Sequence, residues 1–422
     1  MAANWSRTSL RDAGVSLIDC DHRTPPAADA GYPYVAIPQL KEGRLELSDV
    51  RRISPEHFAA WTRKAKPQHH DVILSRRCNP GETAYVPAGL ECALGQNLVL
   101  LRANGTKLFP PFLRWLVRGT DWWEQVGTFI NVGAVFDSLR CADIPNFKIP
   151  LPPLTEQKAI ASVLGALDDK IELNRRMNAT LEAMARALFQ SWFVDFDPVR
   201  AKLDDRPPAG LDPATAVIFP DSFQDSPLGH IPKGWEVSRL DAIATVLMGL
   251  SPDGDSYNPE GIGIPLINGP VEFGDYFPVK TKWTKAATRF ADEGDLIFCV
   301  RGSTTGRRVV SDGKYGIGRG VCVIRANSAF HNFIFQTINV GLDRLLAKTT
   351  GSVFPSLSAP DIKGFPVIKP SKALLEAFEH ATKPVIQRIQ QNHHQSRTLA
   401  NLRDTLLPKL LSGEIGVNPT ND

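Results

Sequence analysis

Long apolar runs are missing from this 422-residue chain: no stretch approaches the roughly 18 residues needed to cross a membrane. The opening residues, Met1-Ala2-Ala3-Asn4-Trp5-Ser6-Arg7, carry no apolar signal core, so nothing points to export and a cytoplasmic location is expected. Cysteine is sparse and unpatterned. Cys20, Cys78, Cys92, Cys141, Cys299 and Cys322 form no C-x-x-C pair, which fits free thiols in a reducing compartment and argues against zinc. His69-His70 and His393-His394 are adjacent pairs rather than ligands at helical i,i+4 spacing, so no metal site is expected there. A strong charge imbalance is also missing; the formal net charge is +3, which by itself does not demand a nucleic-acid partner. There is no G-x-x-x-x-G-K-[ST] phosphate loop, no N-P-P-Y or D-P-P-Y tetrapeptide and no convincing nucleophile-base arrangement. Catalysis by this chain alone is not expected.

What is present is a repeat. Val135-Phe136-Asp137-Ser138-Leu139 and Asp143-Ile144 return as Val353-Phe354-Pro355-Ser356-Leu357 and Asp361-Ile362, at an offset of 218 residues. Upstream, Asp71-Val72-Ile73-Leu74-Ser75-Arg76-Arg77 matches Asp295-Leu296-Ile297-Phe298-Cys299-Val300-Arg301. Leu98 to Asn104 likewise matches Val321 to Asn327. These apolar, β-branched runs read as strands. Trp5 and Trp235 open the halves, each followed by a short helical pattern, Ser9 to Ala13 and Ser238 to Ala244. Trp192, Phe193 and Phe196 are expected to anchor a helix to a domain, and Trp122-Trp123 to pack rather than stack on a ligand. Composition is that of an ordinary globular protein, 43% hydrophobic and 22% charged, and the length suggests two to three domains.

Behind each variable portion comes a constant helical one. Ile160, Leu164, Leu167, Ile171, Asn174, Asn178, Leu181, Ala185, Leu188 and Trp192 alternate spacings of four and three, a heptad seam. Phe378, Thr382, Val385, Ile389, Asn392, Ser396, Leu399, Arg403, Leu406 and Leu410 repeat it. Gly165 and Pro384 suggest a short helix, a break and then a long helix in each half, the long ones running from Asp168 to Phe193 and from Pro384 to about Leu407. The polar residues Asn174, Asn178, Asn392 and Ser396 would fix register where the helices meet. They align in either direction; an antiparallel pair about a pseudo-two-fold axis is the simplest arrangement. The Pro- and Asp-rich stretch from Asp195 to Lys233 reads as an irregular linker.

Several motifs now resemble the specificity subunit of Type I restriction-modification systems. They are Pro150-Leu151-Pro152-Pro153-Leu154-Thr155-Glu156-Gln157-Lys158-Ala159-Ile160, the Leu188 to Pro198 block, Ile231-Pro232-Lys233-Gly234-Trp235 and the ending Leu406 to Ile415. The resemblance runs the whole chain in order; only the I-P-x-G-W opening is missing from the first domain. It implies an α+β fold: two similar mixed α/β target-recognition domains separated by a pair of long antiparallel coiled-coil helices, with pseudo-two-fold symmetry. The expected divisions are a first target-recognition domain at 1–152, a central helical spacer at 153–200, a linker at 201–230, a second target-recognition domain at 231–370 and a C-terminal helical spacer at 371–422. The implied role is non-catalytic recognition of a bipartite, asymmetric sequence in double-stranded DNA. The implied partners are two methyltransferase subunits and restriction/translocase subunits. No cofactor is expected on this chain; S-adenosylmethionine, ATP and Mg belong to those partners. A coiled-coil adaptor that does not read DNA, or a divergent methyltransferase or nuclease, are the alternative readings.

Base readout needs polar and cationic side chains at loop tips. The candidates are Arg76, Arg77, Gln96, Asn97, Thr128 and Asn131 in the first half. In the second they are Arg301, Ser303, Thr304, Arg307, Arg308, Arg319, Thr349 and Ser352. An ordinary exposed polar side chain accounts for any one of them as well as DNA contact does. For the basic run from Arg301 to Arg325, with six cations and one anion, contact is favoured as a group. The loop Asn79-Pro80-Gly81-Glu82 faces Ser303-Thr304-Thr305-Gly306, so the two halves are expected to read different bases.

Overall fold

The computed structural model describes residues 5–133, 135–349 and 355–417. The chain divides into two compact units: residues 1–173 with 395–422, and residues 174–394.

In the first unit, β1 (Arg7–Ser9) pairs antiparallel with β8 (Lys148–Pro150). A four-stranded sheet has β2 (Val15–Asp19), β7 (Leu98–Ala103), β4 (Val72–Ser75) and β5 (Thr83–Tyr85) in that order. β3 (Tyr32–Val35) runs parallel to β6 (Ala93–Leu94). The run Val72-Ile73-Leu74-Ser75 is buried throughout, because both faces of this central strand are covered. Val72, Leu74, Val99 and Leu101 face one core, with α1 (Pro110–Leu116) supplying Phe112 and Trp115 and α2 (Thr120–Phe129) supplying Trp122. Ile73, Leu98 and Leu100 face the other. Pro110 opens α1 at a position where its missing N–H costs nothing.

The second unit repeats this plan. β9 (Glu236–Arg239) pairs with β16 (Pro366–Lys369). β10 (Ala244–Met248), β15 (Val321–Ala326), β12 (Leu296–Cys299) and β13 (Arg308–Val310) form the four-stranded sheet. β11 (Ile264–Ile267) lies parallel to β14 (Tyr315–Ile317), and α4 (His331–Val340) stands where α1 stands in the first unit. An ion pair is copied as well. Asp71, almost fully buried, accepts from Arg102 Nε and a terminal nitrogen at 2.8 and 2.7 Å; Asp295 accepts from Arg325 Nε at 2.8 Å. The short helices expected after Trp5 and Trp235 are instead the strands β1 and β9, each followed by a turn or a single 3-10 turn. Pairing with a distant strand outweighs a weak local helical pattern there.

Two helices of 40 residues each, α3 (Leu154–Phe193) and α5 (Lys372–Leu411), carry the seams. Within the first unit, Ile160 and Leu164 share a core with Leu410 and Leu407, while Asp168 bonds Arg403, so the segments run antiparallel. Within the second, Leu181 packs with Ile389 and Phe189 with Phe378, again antiparallel. The expected break in each helix is not there. Both are continuous through Gly165 and Pro384. Pro384 deprives the His380 carbonyl of its usual N–H donor, yet Leu374, Leu375 and Phe378 before it and Ile389 after it are buried on one face. That burial keeps the helix going. The stretch from Asp195 to Lys233 is likewise more ordered than an irregular linker: it holds short helices, Asp197–Leu203 and Pro213–Val217, and a hairpin pairing Phe223–Ser226 with Gly229–Pro232. Trp192, Phe193 and Phe196 join Phe219, Ile231 and Trp235 in the core, which pins both the helix end and this segment.

In the second unit the polar seam is formed as expected for Asn174, Asn178 and Asn392. Asn392 Nδ2 donates to Asn178 Oδ1 at 2.8 Å, Asn178 Nδ2 to the Ile389 carbonyl at 3.5 Å, and Asn174 Nδ2 to the Asn392 carbonyl at 3.4 Å. All three asparagines are buried. Ser396 lies one turn further along α5 and is half-buried.

Candidate nucleic-acid interface

In each unit three loops are tied together by main-chain hydrogen bonds. In the first, Arg76 N donates to the Asn97 carbonyl at 2.8 Å, Leu139 N to the Arg76 carbonyl at 2.9 Å, and Gly81 N to the Ser75 carbonyl at 3.0 Å. In the second, Val300 N donates to Gly320, Leu357 N to Val300, and Gly306 N to Cys299, at 3.0, 3.0 and 2.9 Å. Isolated bridges join Arg77 to Ser138 and Arg301 to Ser356. The loop between the central strands returns through glycine in both units, Gly81 at φ +96° and Gly306 at φ +97°, a conformation other residues resist. Gly95 and Gly318 are a second matched pair. Their N–H groups donate to the Val35 and Ile267 carbonyls, and a Cβ on Gly318 would lie 1.6 Å from Asn268 Oδ1.

On this shared frame the side chains differ. Arg77, Gln96 and Asn131 are exposed; Gln96 Nε2 donates to Thr24 Oγ1, and Asn97 sits behind Gln96 at φ +68°. Arg301, Ser303, Arg307 and Arg319 are exposed in the second unit, with Thr304 and Thr349 half-buried beside them. Val132, Val135 and Phe136 are also exposed, at 84%, 78% and 56%, next to Asn131. Ser352 lies outside the described residues, as do Val353 and Phe354 of the repeated block.

Three expected site residues are placed otherwise. Thr128 belongs to α2, where its hydroxyl donates to the Glu124 carbonyl one turn back. Arg76 is half-buried and reaches the Leu139 carbonyl at 3.4 Å, tying loops together rather than presenting a cation. Arg308 is half-buried, bonded to Asn339 Oδ1 and, at 2.9 Å, to the Gly306 carbonyl. Nor is the basic run one surface. Arg325 is neutralised by Asp295 and Asp292, and Lys314 lies over the Phe290 ring. Of the tryptophan pair, Trp122 is buried and donates to the Gly81 carbonyl, whereas Trp123 is exposed.

A second constellation has no precursor in the sequence pattern. In the first unit Asp168 is buried and bonded to Arg403 at 2.6 Å, to Arg44 at 3.1 Å and to Arg114. Burial opposes ionisation of Asp168, but Arg114, Arg44 and Arg403 together hold it below the usual carboxylate range. Its members stand as many as 359 residues apart in the chain, from Arg44 to Arg403, so no local pattern announces it. Among the described residues the single cluster of three potential metal ligands is Asp19, Cys20 and His22. The Cys20 thiol donates to the Gly95 carbonyl, and burial together with Asp19 pushes it up to about 11, which suits a structural thiol. Among the described residues no helix is long and apolar enough to cross a membrane.

Two similar α+β domains, each with a copied loop frame, and two long helices place the chain among modular recognition proteins rather than enzymes built around one catalytic cleft. The family model for the Type I restriction modification DNA specificity domain matches residues 23–183 and 232–375, and the chain belongs to this family. It is 26% identical over 399 residues to the putative type I restriction enzyme MjaX specificity subunit of Methanocaldococcus jannaschii, covering 92% of this chain and 88% of that one. It is 23% identical to the type I restriction enzyme HindI specificity subunit of Haemophilus influenzae, over 81% of this chain and 86% of the relative. In fold it matches the crystal structure of the Type-I restriction-modification system S subunit from M. genitalium with a TM-score of 0.54 at 16% identity, over 96% of each chain. The protein is thus a Type I DNA specificity subunit, the non-catalytic component that confers sequence choice.

Proposed function

We propose that each domain reads one half of a bipartite, asymmetric sequence in double-stranded DNA through its three-loop frame. The supporting observation is that one main-chain lattice recurs while the side chains on it differ: Asn79, Pro80 and Glu82 beside Gly81 in one half, Ser303, Thr304 and Thr305 beside Gly306 in the other. Arg77, Gln96, Asn131, Arg301, Ser303, Arg307 and Arg319 are the side chains best exposed for base edges and phosphates. In this reading α3 and α5 set the gap between half-sites. At about 1.5 Å per residue, 40 residues extend about 60 Å, ample for half-sites one duplex turn apart, roughly 34–36 Å. The same helices would dock two methyltransferase subunits, with restriction/translocase subunits joining them. S-adenosylmethionine, ATP and Mg are proposed to act on those partners.

Co-expression with the cognate methyltransferase subunit, followed by genome-wide mapping of methylated adenines, tests the reading. The expected result is a split motif with a fixed gap and two unlike halves; a continuous or perfectly palindromic motif overturns it.

A further inference from the structure

The duplication supplies an internal comparison at the place where sheet edge, second-layer helix and long helices converge. Sheet register sets Thr83 and Tyr85 of β5 against Arg308 and Val310 of β13. The bond from Tyr85 N to the Gly43 carbonyl corresponds to that from Val310 N to the Tyr276 carbonyl. On the long helices, the 218-residue offset sets Asp168 against Ile386 and Asp404 against Arg186. In the first unit this place is closed by charge: the Asp168 carboxylate lies among Arg44, Arg114 and Arg403.

In the second unit the same place is a cleft of about 420 Å³. Arg186, Arg307 and Arg308 border it, and among the described residues none of them makes an ion pair. Two acids also border the cleft. Glu182, one turn before Arg186, is not within ion-pair distance of it, and Asp275 pairs with Arg175 at 3.8 Å. Arg308 is half-buried with Asn339 and a carbonyl as its acceptors; burial and the neighbouring Arg186 both disfavour its charged form. A desolvated guanidinium of this kind calls for an anion. Gln336, only 3% exposed, lines the cleft, and its amide oxygen is buried without a donor. Phe335, Ile386 and Ile389 make an apolar wall.

We propose that this cleft receives an Asp or Glu side chain of the methyltransferase subunit, which takes beside Arg186 and Arg308 the place that Asp168 fills in the first unit. An acidic side chain satisfies both features of the cleft: its carboxylate meets the arginines and its aliphatic arm the apolar wall. A phosphodiester has no apolar arm to set against that wall. The proposal rests on the reading that this chain assembles with methyltransferase subunits.

The test uses the full chain with its methyltransferase subunit. Association is measured by titration calorimetry, and DNA binding by the assembled complex is measured across salt concentrations. The double variant Arg186→Met/Arg308→Met is expected to weaken association at least tenfold and leave the salt slope of DNA binding unchanged. Ile386→Asp keeps the arginines but supplies the carboxylate from within, and is expected to weaken association similarly. Thermal melting of both variants identifies any that fails to fold, and the other then decides. Wild-type association that neither variant alters overturns the cleft proposal alone. A salt slope lowered by about one or two assigns the arginines to DNA phosphates and also overturns it. Failure of the wild-type chain to bind the methyltransferase subunit overturns the assembly reading itself.

Discussion

Individual side chains carry two separable duties here, holding a copied frame and differing on top of it. The Asp71–Arg102 and Asp295–Arg325 pairs belong to the frame, since each aspartate is almost fully buried and accepts charge-assisted hydrogen bonds from its arginine. Asp71→Ala and Asp295→Ala are each expected to cost about 2 kcal/mol through the lost charge-assisted hydrogen bonds, read as a shift of the denaturant midpoint. Exposed Arg301 and Arg319 belong to the other class. Replacing either with Gln should leave stability unchanged and lower the salt slope of DNA binding by about one for each phosphate no longer neutralised. Glu379 gives a pH signature. Its Oε1 accepts from Phe333 N at the start of α4, and burial raises its pKa to about 7, above the ordinary glutamate range. Between the unfolded value near 4.5 and about 7 the native state holds a proton that the unfolded state has lost. This contribution therefore favours folding below about 4.5 and disappears as pH rises through 7. Glu379→Gln, which keeps the acceptor, should flatten that part of a stability-pH curve measured by urea unfolding.

At the level of elements, the seams of α3 and α5 were legible because a heptad repeat is local and period-bound, and the central strands because their apolar runs are buried on both faces. Continuity through Pro384 was not legible. Proline's local cost is visible in the sequence, but the burial of Leu374, Leu375 and Phe378 that outweighs it comes from residues far away in the chain. The Asp168 network was hidden for the same reason, and so was the neutralisation of Arg325 by an aspartate 30 residues earlier. The loop candidates divided along this line too: Arg77 and Arg307 are exposed, whereas Arg76 and Arg308, their immediate neighbours, turn inward. The ruler role proposed for the helices makes a quantitative prediction. Inserting one heptad in each at the asparagine layer adds about 10 Å. The gap in the methylated motif should grow by up to about three base pairs at 3.4 Å each, with both half-sites unchanged. A motif with an unaltered gap would sink the ruler role.

For the molecule as a whole, two domains of one plan and unlike surface are, on the proposed reading, two independent vocabularies. Exchanging residues 231–370 for those of a relative should change one half of the methylated motif and leave the other intact, as adenine mapping will show. The loop frame gives this independence a chemical basis. Its ties are N–H to C=O bonds at Arg76, Gly81 and Leu139, and at Val300, Gly306 and Leu357, which a change of side chain does not touch. Exposed neighbours on the loops can therefore change while the scaffold stays intact, and on the proposed reading a new specificity is reachable by point substitution without passing through an unfolded intermediate. At the tied positions themselves proline, which has no N–H to give, is the residue that evolution cannot try.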